Sequence, residues 1–134
     1  MKFKFLDDEV DGVINLINGC FNLKASVDNF ELLSNQRFLL LLDKNEVIGT
    51  CLITLKNDPI KNTKTFYLDY VCIKDSYQNK GLGSKMFEQV LKIGEEEKVD
   101  FIELTSSKKR VNARKMYLKY GMEIKDTDIF IKKI

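Results

Sequence analysis

Phe66-Tyr67-Leu68-Asp69-Tyr70-Val71-Cys72-Ile73, Lys74-Asp75-Ser76-Tyr77, then Gln78-Asn79-Lys80-Gly81-Leu82-Gly83 before Ser84: these residues decide the fold. The first eight are β-rich and nearly continuously apolar, the pattern of a central strand covered on both faces. A polar turn follows, then a loop with two glycines, and a helix is predicted to open at about Ser84. Met86, Phe87, Val90, Leu91 and Gly94 recur on one face of that helix, and Glu95-Glu96-Glu97-Lys98 closes it as a solvated run. The amides at a helix start have no intrahelical partner and sit at the positive end of the dipole. Glycines let the main chain approach a ligand closely. A strand, a glycine loop and a helix start therefore make a place for an anion.

Phe101-Ile102-Glu103-Leu104-Thr105 reads as the next strand, so residues 81 to 105 read as loop, helix, strand and predict a parallel pair joined by a crossover helix. Ala113, Met116, Tyr117 and Tyr120 fall at helical spacing within residues 110 to 120, and Gly121 suits the cap. Residues 122 to 125 and 128 to 134 read as two final strands around Asp126-Thr127. Toward the N-terminus, residues 2 to 6 alternate as a strand. Val10, Val13, Ile14, Ile17 and Phe21 then mark a first helix to about Cys20. Ser26 predicts the cap of a second helix carrying Val27, Phe30, Leu32 and Leu33. Residues 37 to 42 and 47 to 55 read as a hairpin about a turn at residues 43 to 46. Residues 57 to 64, with Pro59, read as the next loop. The order β-α-α-β-β-β-α-β-α-β-β describes an α/β layer on a mixed sheet. With 134 residues, no repeat and no low-complexity segment, the expectation is one domain, residues 1 to 134.

Composition narrows the function. The formal net charge of +2 gives no ground for nucleic-acid binding, and Lys108-Lys109-Arg110 reads as a solvated turn. The absence of histidine excludes His-based triads and His metal sites. Cys20, Cys51 and Cys72 show no metal or redox spacing and read as reduced core thiols, so the expected location is cytoplasmic. No signal peptide or membrane span is expected.

The glycine loop admits three readings. A dinucleotide fingerprint needs a third glycine where Met86 stands, and a nucleotide P-loop needs Gly-Lys-Ser/Thr where Gly83-Ser84-Lys85 has another order. The third pattern, Gln/Arg-x-x-Gly-x-Gly/Ala after a central strand, is met by Gln78 to Gly83. Here the chain resembles the GNAT superfamily of acyl-CoA N-acyltransferases. Residues 71 to 83 are similar to that family's acyl-CoA loop. Residues 110 to 122 resemble its later helix, with Ala113, Tyr117 and Gly121 in the recurring frame. Residues 1 to 65 match in layout only. The resemblance implies a GNAT-like α/β fold: a mixed, mostly antiparallel sheet with a parallel central pair, flanked by helices. It implies acetyl-CoA as cosubstrate, no metal, and direct acyl transfer to a primary amine on a small molecule or a protein. A non-catalytic acyl-CoA-binding module on the same fold is the alternative. No nucleic-acid or membrane partner is expected, and monomer and homodimer both stay open.

The resemblance also implies roles for particular residues. Amides of Gln78, Asn79, Lys80, Gly81, Leu82, Gly83 and Ser84 would cradle the pyrophosphate, with Lys80 adding charge. Val71, Cys72 and Ile73 would meet the pantetheine arm by main-chain pairing. One N–H in the Cys72–Ile73 region would polarise the thioester carbonyl. Tyr117 would act as acid, because a phenol of pKa about 10 stays protonated and can donate to a departing thiolate; its bland reading is a core tyrosine. Tyr120, one turn later, reads as structural. Asp69 is the candidate base, against a structural or substrate-binding role, with Glu103 as rival. Arg110 stands where many relatives carry an Asn that meets the coenzyme. Asn112 takes the cofactor role only if that contact has shifted by two positions, and Arg110 is itself a candidate phosphate ligand.

Overall fold

The computed structural model describes residues 1–134. Strands β1 (Lys2–Phe5), β2 (Gln36–Asp43), β3 (Glu46–Asp58), β4 (Thr63–Ile73) and β5 (Phe101–Leu104) form one sheet in sequence order. The first three junctions are antiparallel and β4–β5 is parallel. Three helices, α1 (Val10–Phe21), α2 (Leu82–Glu96) and α3 (Val111–Lys119), flank it. The crossover from β4 to β5 runs through α2, as the pattern of residues 81 to 105 predicts.

The apolar run of β2 is divided between two layers. Leu39 and Leu41 join a core with Phe66, Leu68, Met86, Phe87, Val90 and Tyr117 beneath α2 and α3. Phe38, Leu40 and Leu42 join Val13, Leu16, Ile17 and Cys72 beneath α1. Alternation with period two puts neighbours on opposite faces. A run without polar interruption is therefore what a strand covered on both faces requires. β2 and the first half of β3 have that environment. β4 does not have it, although its sequence predicts it: only Phe66, Leu68 and Cys72 are fully buried there.

Cys72 has the same parity as Phe66 and Leu68 yet lies in the opposite core. The reason is a bulge. Thr50 pairs with Cys72 and Leu52 with Asp69, so Tyr70 and Val71 together face Cys51. Tyr70 adopts a left-handed backbone, φ 47°. One extra residue inverts every later side chain in the strand.

Two further expectations fail. Residues 26 to 33 do not form a second helix: only a 3-10 turn, Val27–Asn29, appears, and Ser26 makes no side-chain cap. Phe30 instead stacks on Phe38 with ring centroids 6.0 Å apart, while Leu33 stays exposed. Packing one ring against the sheet competes with a short helix whose nucleation is costly. Residues 122 to 125 and 128 to 134 form no strands, for they pair with nothing in the chain. The parallel pair therefore stands at one end of the sheet, with β5 as the edge strand. No helix is long and apolar enough to cross a membrane.

Candidate active site

The parallel ladder is short. It runs from Thr65↔Phe101 to Leu68↔Leu104 and stops. β4 continues to Ile73, so from Asp69 onward its second edge has no strand beside it. The bulge at Tyr70–Val71 bends β4 where the two strands part. A non-glycine residue held at positive φ is strained, and such strain persists only where surrounding contacts enforce it. Here Thr50 donates its hydroxyl to the Tyr70 carbonyl at 2.9 Å, and the Tyr70 ring meets Phe21 edge-on at 5.4 Å.

A cleft of about 320 Å³ opens in the gap, lined by Phe21, Asp69, Tyr70, Val71, Arg110 and Tyr117 among others. It is reached from both faces of the sheet, since Phe21 comes from α1 and Tyr117 from α3. Tyr117 is 7% exposed and packs edge-on against Phe87 at 5.4 Å. Burial pushes its phenol above the ordinary value, opposed by the nearby Arg110 guanidinium. The hydroxyl is therefore held protonated, which suits a donor and not a base. Asp69 lies across the cleft. Burial raises its carboxyl as well, with Lys56 working against the shift.

An Asp whose folded pKa is raised is less stable ionised in the native state than in the unfolded chain. The native protein therefore loses stability as pH rises through that raised value, and regains it fully below the unfolded pKa of about 3.9. Asp69→Asn should accordingly raise the melting temperature at pH 7, with the gap closing as pH falls toward 4. Equal melting temperatures at pH 7 would show that Asp69 bears no net burial cost.

The loop before α2 has the geometry of an anion cradle. Asp75–Tyr77 forms a 3-10 turn, and then Asn79 (φ 62°) and Gly81 (φ 77°) both take left-handed conformations. α2 begins at Leu82, two residues earlier than its apolar pattern suggests, with Gly81 as its cap. Gly81 makes no side-chain cap, so the first amides of α2 remain available. A Cβ on Gly81 would meet nothing within 4 Å; glycine is needed there for its φ, not for space. The loop is tied down at its base. Tyr77 donates to Asp43 at 2.7 Å, and Gln78 donates its amide to the Ile73 carbonyl at 2.9 Å and to Asp75 at 3.1 Å. Lys80 lies 5.4 Å from the centre of the Tyr77 ring.

α3 connects the loop to the cleft. The Met116 sulfur is 3.9 Å from where a Cβ of Gly83 would lie, which seats α3 against the start of α2. Tyr120 packs on Phe87 and donates to Glu88, a structural placement. Gln78 to Gly81 form the loop and Leu82 to Ser84 the first turn of α2, and Val71 to Ile73 form the unpartnered edge of β4. Tyr117 and Asp69 share the cleft between. Asn112 is exposed on α3 and lines neither place. Arg110 caps α3 and lines the cleft beside Tyr117.

Cys72 points away from Tyr117. Its thiol lies 3.2 Å from the Thr50 hydroxyl, and burial pushes it up to about 12. Tyr70, with its bulge, is the lining residue that carries no signal in the sequence: neither glycine nor proline marks it. A second, wider groove of about 690 Å³ runs between α1 and the 3-10 turn before the loop. It holds Glu9, Glu46 and Asp75, and its Lys74 is already paired with Glu46 at 2.7 Å. Such a lining does not suit a pyrophosphate.

A mostly antiparallel sheet with one splayed parallel pair, a helix N-terminus beside the gap and helices on both faces matches the acyltransferase architecture expected from the sequence. The chain belongs to the acetyltransferase (GNAT) family, whose model matches residues 10–122. No curated protein matches the chain. Several solved structures share its fold. A ribosomal-protein-alanine N-acetyltransferase from Brucella melitensis biovar Abortus 2308 is 12% identical, with 100% of both chains covered and a TM-score of 0.84. An aminoglycoside acetyltransferase from an uncultured soil metagenomic sample, solved with trehalose, is 14% identical, covering 99% of this chain and 95% of its own, with a TM-score of 0.81. A predicted acetyltransferase from Clostridium acetobutylicum, solved with acetyl-CoA, is 15% identical, covering 98% and 95%, with a TM-score of 0.77.

Proposed function

We propose that the protein is an N-acetyltransferase that moves an acetyl group from acetyl-CoA directly to a primary amine, on a small molecule or a protein. One observation carries the reading: a buried, protonated Tyr117 lines the gap where β4 leaves β5, beside a helix N-terminus with free amides. The pyrophosphate is assigned to the amides of Gln78 to Ser84, where the dipole and the two left-handed residues favour negative charge. The pantetheine arm is assigned to the open edge of Val71, Cys72 and Ile73, as an added strand.

In this scheme the amine nitrogen attacks the thioester carbon and the carbonyl oxygen becomes anionic. A main-chain N–H beyond the bulge stabilises it. The intermediate collapses by breaking the C–S bond, and the departing thiolate takes the Tyr117 proton. Asp69, directly or through water, takes the proton that the nitrogen loses. The three free cysteines suit a reducing compartment such as the cytoplasm.

The reading is tested by titrating the protein with CoA while following backbone amides by NMR. The largest shifts are expected at residues 78 to 84, and a separate assay supplying acetyl-CoA and an amine panel is expected to release CoA. Saturating CoA binding with the shifts located elsewhere would overturn the assignment. Covalent catalysis by Cys72 makes a contrary prediction, because removing a nucleophile abolishes turnover. Cys72→Ala is expected to retain most of the rate, with no acyl-enzyme burst.

A further inference from the structure

Two charged residues line the cleft between β4 and β5, and neither has an ionic partner. They are Asp69 and Arg110. Lys4, Arg37, Lys74 and Lys125 each find a carboxylate elsewhere, but Arg110 finds none. Its charge, and not only its stem, lies in the gap. Burial raises both the Tyr117 phenol and the Cys72 thiol, and the Arg110 guanidinium pulls against both shifts. Those two side chains belong to the cores on opposite faces of the sheet. A cation felt by both sits between the faces, where β4 and β5 part.

That position calls for an anion. Arg110 caps α3, whose first turn holds no acidic residue. A cation at a helix N-terminus opposes the dipole. Lys108, Lys109 and Arg114 are close in the chain and add to the same potential. The pyrophosphate is not the missing anion, because none of Gln78 to Ser84 lines the cleft. Met116 is the part of α3 seated against Gly83. Arg110 precedes it by six residues, about 9 Å along the helix axis. The rest of the lining is uncharged and largely apolar. Phe21 and Tyr70 meet edge-on within it, and Tyr70 is left 41% exposed. A cleft of about 320 Å³ is at the small end of sites that enclose an organic molecule.

From these features we infer that the amine acceptor is a free α-amino acid with an apolar side chain. Arg110 takes its carboxylate through the guanidinium fork, Asp69 meets its ammonium, and Phe21 and Tyr70 cover its side chain. The inference rests on the acyl-transfer reading of the site. A protein N-terminus or a lysine side chain carries no carboxylate beside its amine and would leave Arg110 unpaired. A polyamine would meet one carboxylate and be repelled by the guanidinium. In the reaction a C–N bond forms and the thioester C–S bond breaks, giving an N-acetylamino acid and CoA. The ammonium loses two protons. One leaves through Asp69 to solvent, and the other restores the proton that Tyr117 gives to the thiolate.

The test compares L-leucine and L-phenylalanine with 3-methylbutylamine and 2-phenylethylamine, the same molecules without the carboxylate. Binding to the CoA-saturated protein is read by calorimetry and by amide shifts, and turnover by CoA release from acetyl-CoA. The amino acids are expected to exceed their amines by about tenfold or more in both affinity and kcat/KM. Arg110→Gln should bring that ratio close to one, and Arg110→Lys should keep part of it, with CoA affinity near that of the parent in both. Amino acids bound in this Arg110-dependent way without CoA release would uphold the site and overturn acyl transfer. Simple amines acetylated as well as the amino acids would uphold acyl transfer and overturn the inference. So would amino acids that neither bind nor react, or an Arg110→Gln variant that loses CoA affinity and keeps the same preference among acceptors.

Discussion

Tyr117→Phe is expected to lower kcat by about two orders of magnitude, the lower end of what a positioned acid supplies, while CoA affinity changes little. The argument starts from the phenol. A departing thiolate has a conjugate acid of pKa about 8.5, below that of an ordinary tyrosine at about 10. Burial raises the phenol further, so the proton is present when the C–S bond breaks. Phenylalanine keeps the edge-on contact with Phe87 and the volume in the core, so it removes the proton and leaves the packing. Loss in kcat without loss in CoA binding separates the acid from a merely structural ring. Turnover should be measured with a confirmed acceptor and binding by calorimetry. An unchanged kcat would take Tyr117 out of the chemistry.

Gly81→Val is expected to weaken CoA binding by about tenfold or more, with a smaller effect on the fold. A side chain there would meet no atom within 4 Å, so the effect comes from the backbone alone. Holding an L-residue in the left-handed region costs roughly 1–2 kcal/mol, and more for a β-branched one. About 1.4 kcal/mol is a factor of ten in affinity. Either the loop keeps its shape at that cost, or it relaxes and turns its amides away from the anion. Gly81→Asn is the control, because asparagine tolerates this conformation, as Asn79 does two residues earlier. It should recover most of the affinity. Equal weakening by Val and Asn would instead point to a side chain obstructing the ligand.

The two variants probe parts that differ in how far the sequence reveals them. Gln78 to Gly83 follow one another along the chain, so the loop, its glycines and the helix start are local facts. Local facts are readable because a turn or a helix start depends on a few adjacent residues. Tyr117 and Asp69 are named by the resemblance, but they lie 48 positions apart in the chain. Nothing in either neighbourhood states that they line one cleft. Asn112 illustrates the opposite outcome: it is one position along α3 from Val111 and faces solvent.

The predicted second helix at residues 26 to 33 rests on apolar spacing alone. It gives way because Phe30 has a better partner in Phe38 than in its own turn. The tail at residues 128 to 134 is a strand by composition that has no strand beside it. A ladder needs a second edge, and composition does not say where that edge is.

The sequence by itself determined the order of the five strands with helices α1, α2 and α3, but not the lack of a helix at residues 26 to 33, and it determined the parallel crossover through α2 and the glycine loop before it. Each of these follows from period, turn chemistry and short-range spacing. The bulge at Tyr70–Val71 was decided only by the tertiary structure. It arises where β4 must satisfy β3 on one side while parting from β5 on the other, a conflict between two long-range pairings. That one extra residue turns the Cys72 thiol beneath α1 and leaves the open edge of β4 facing the Tyr117 cleft.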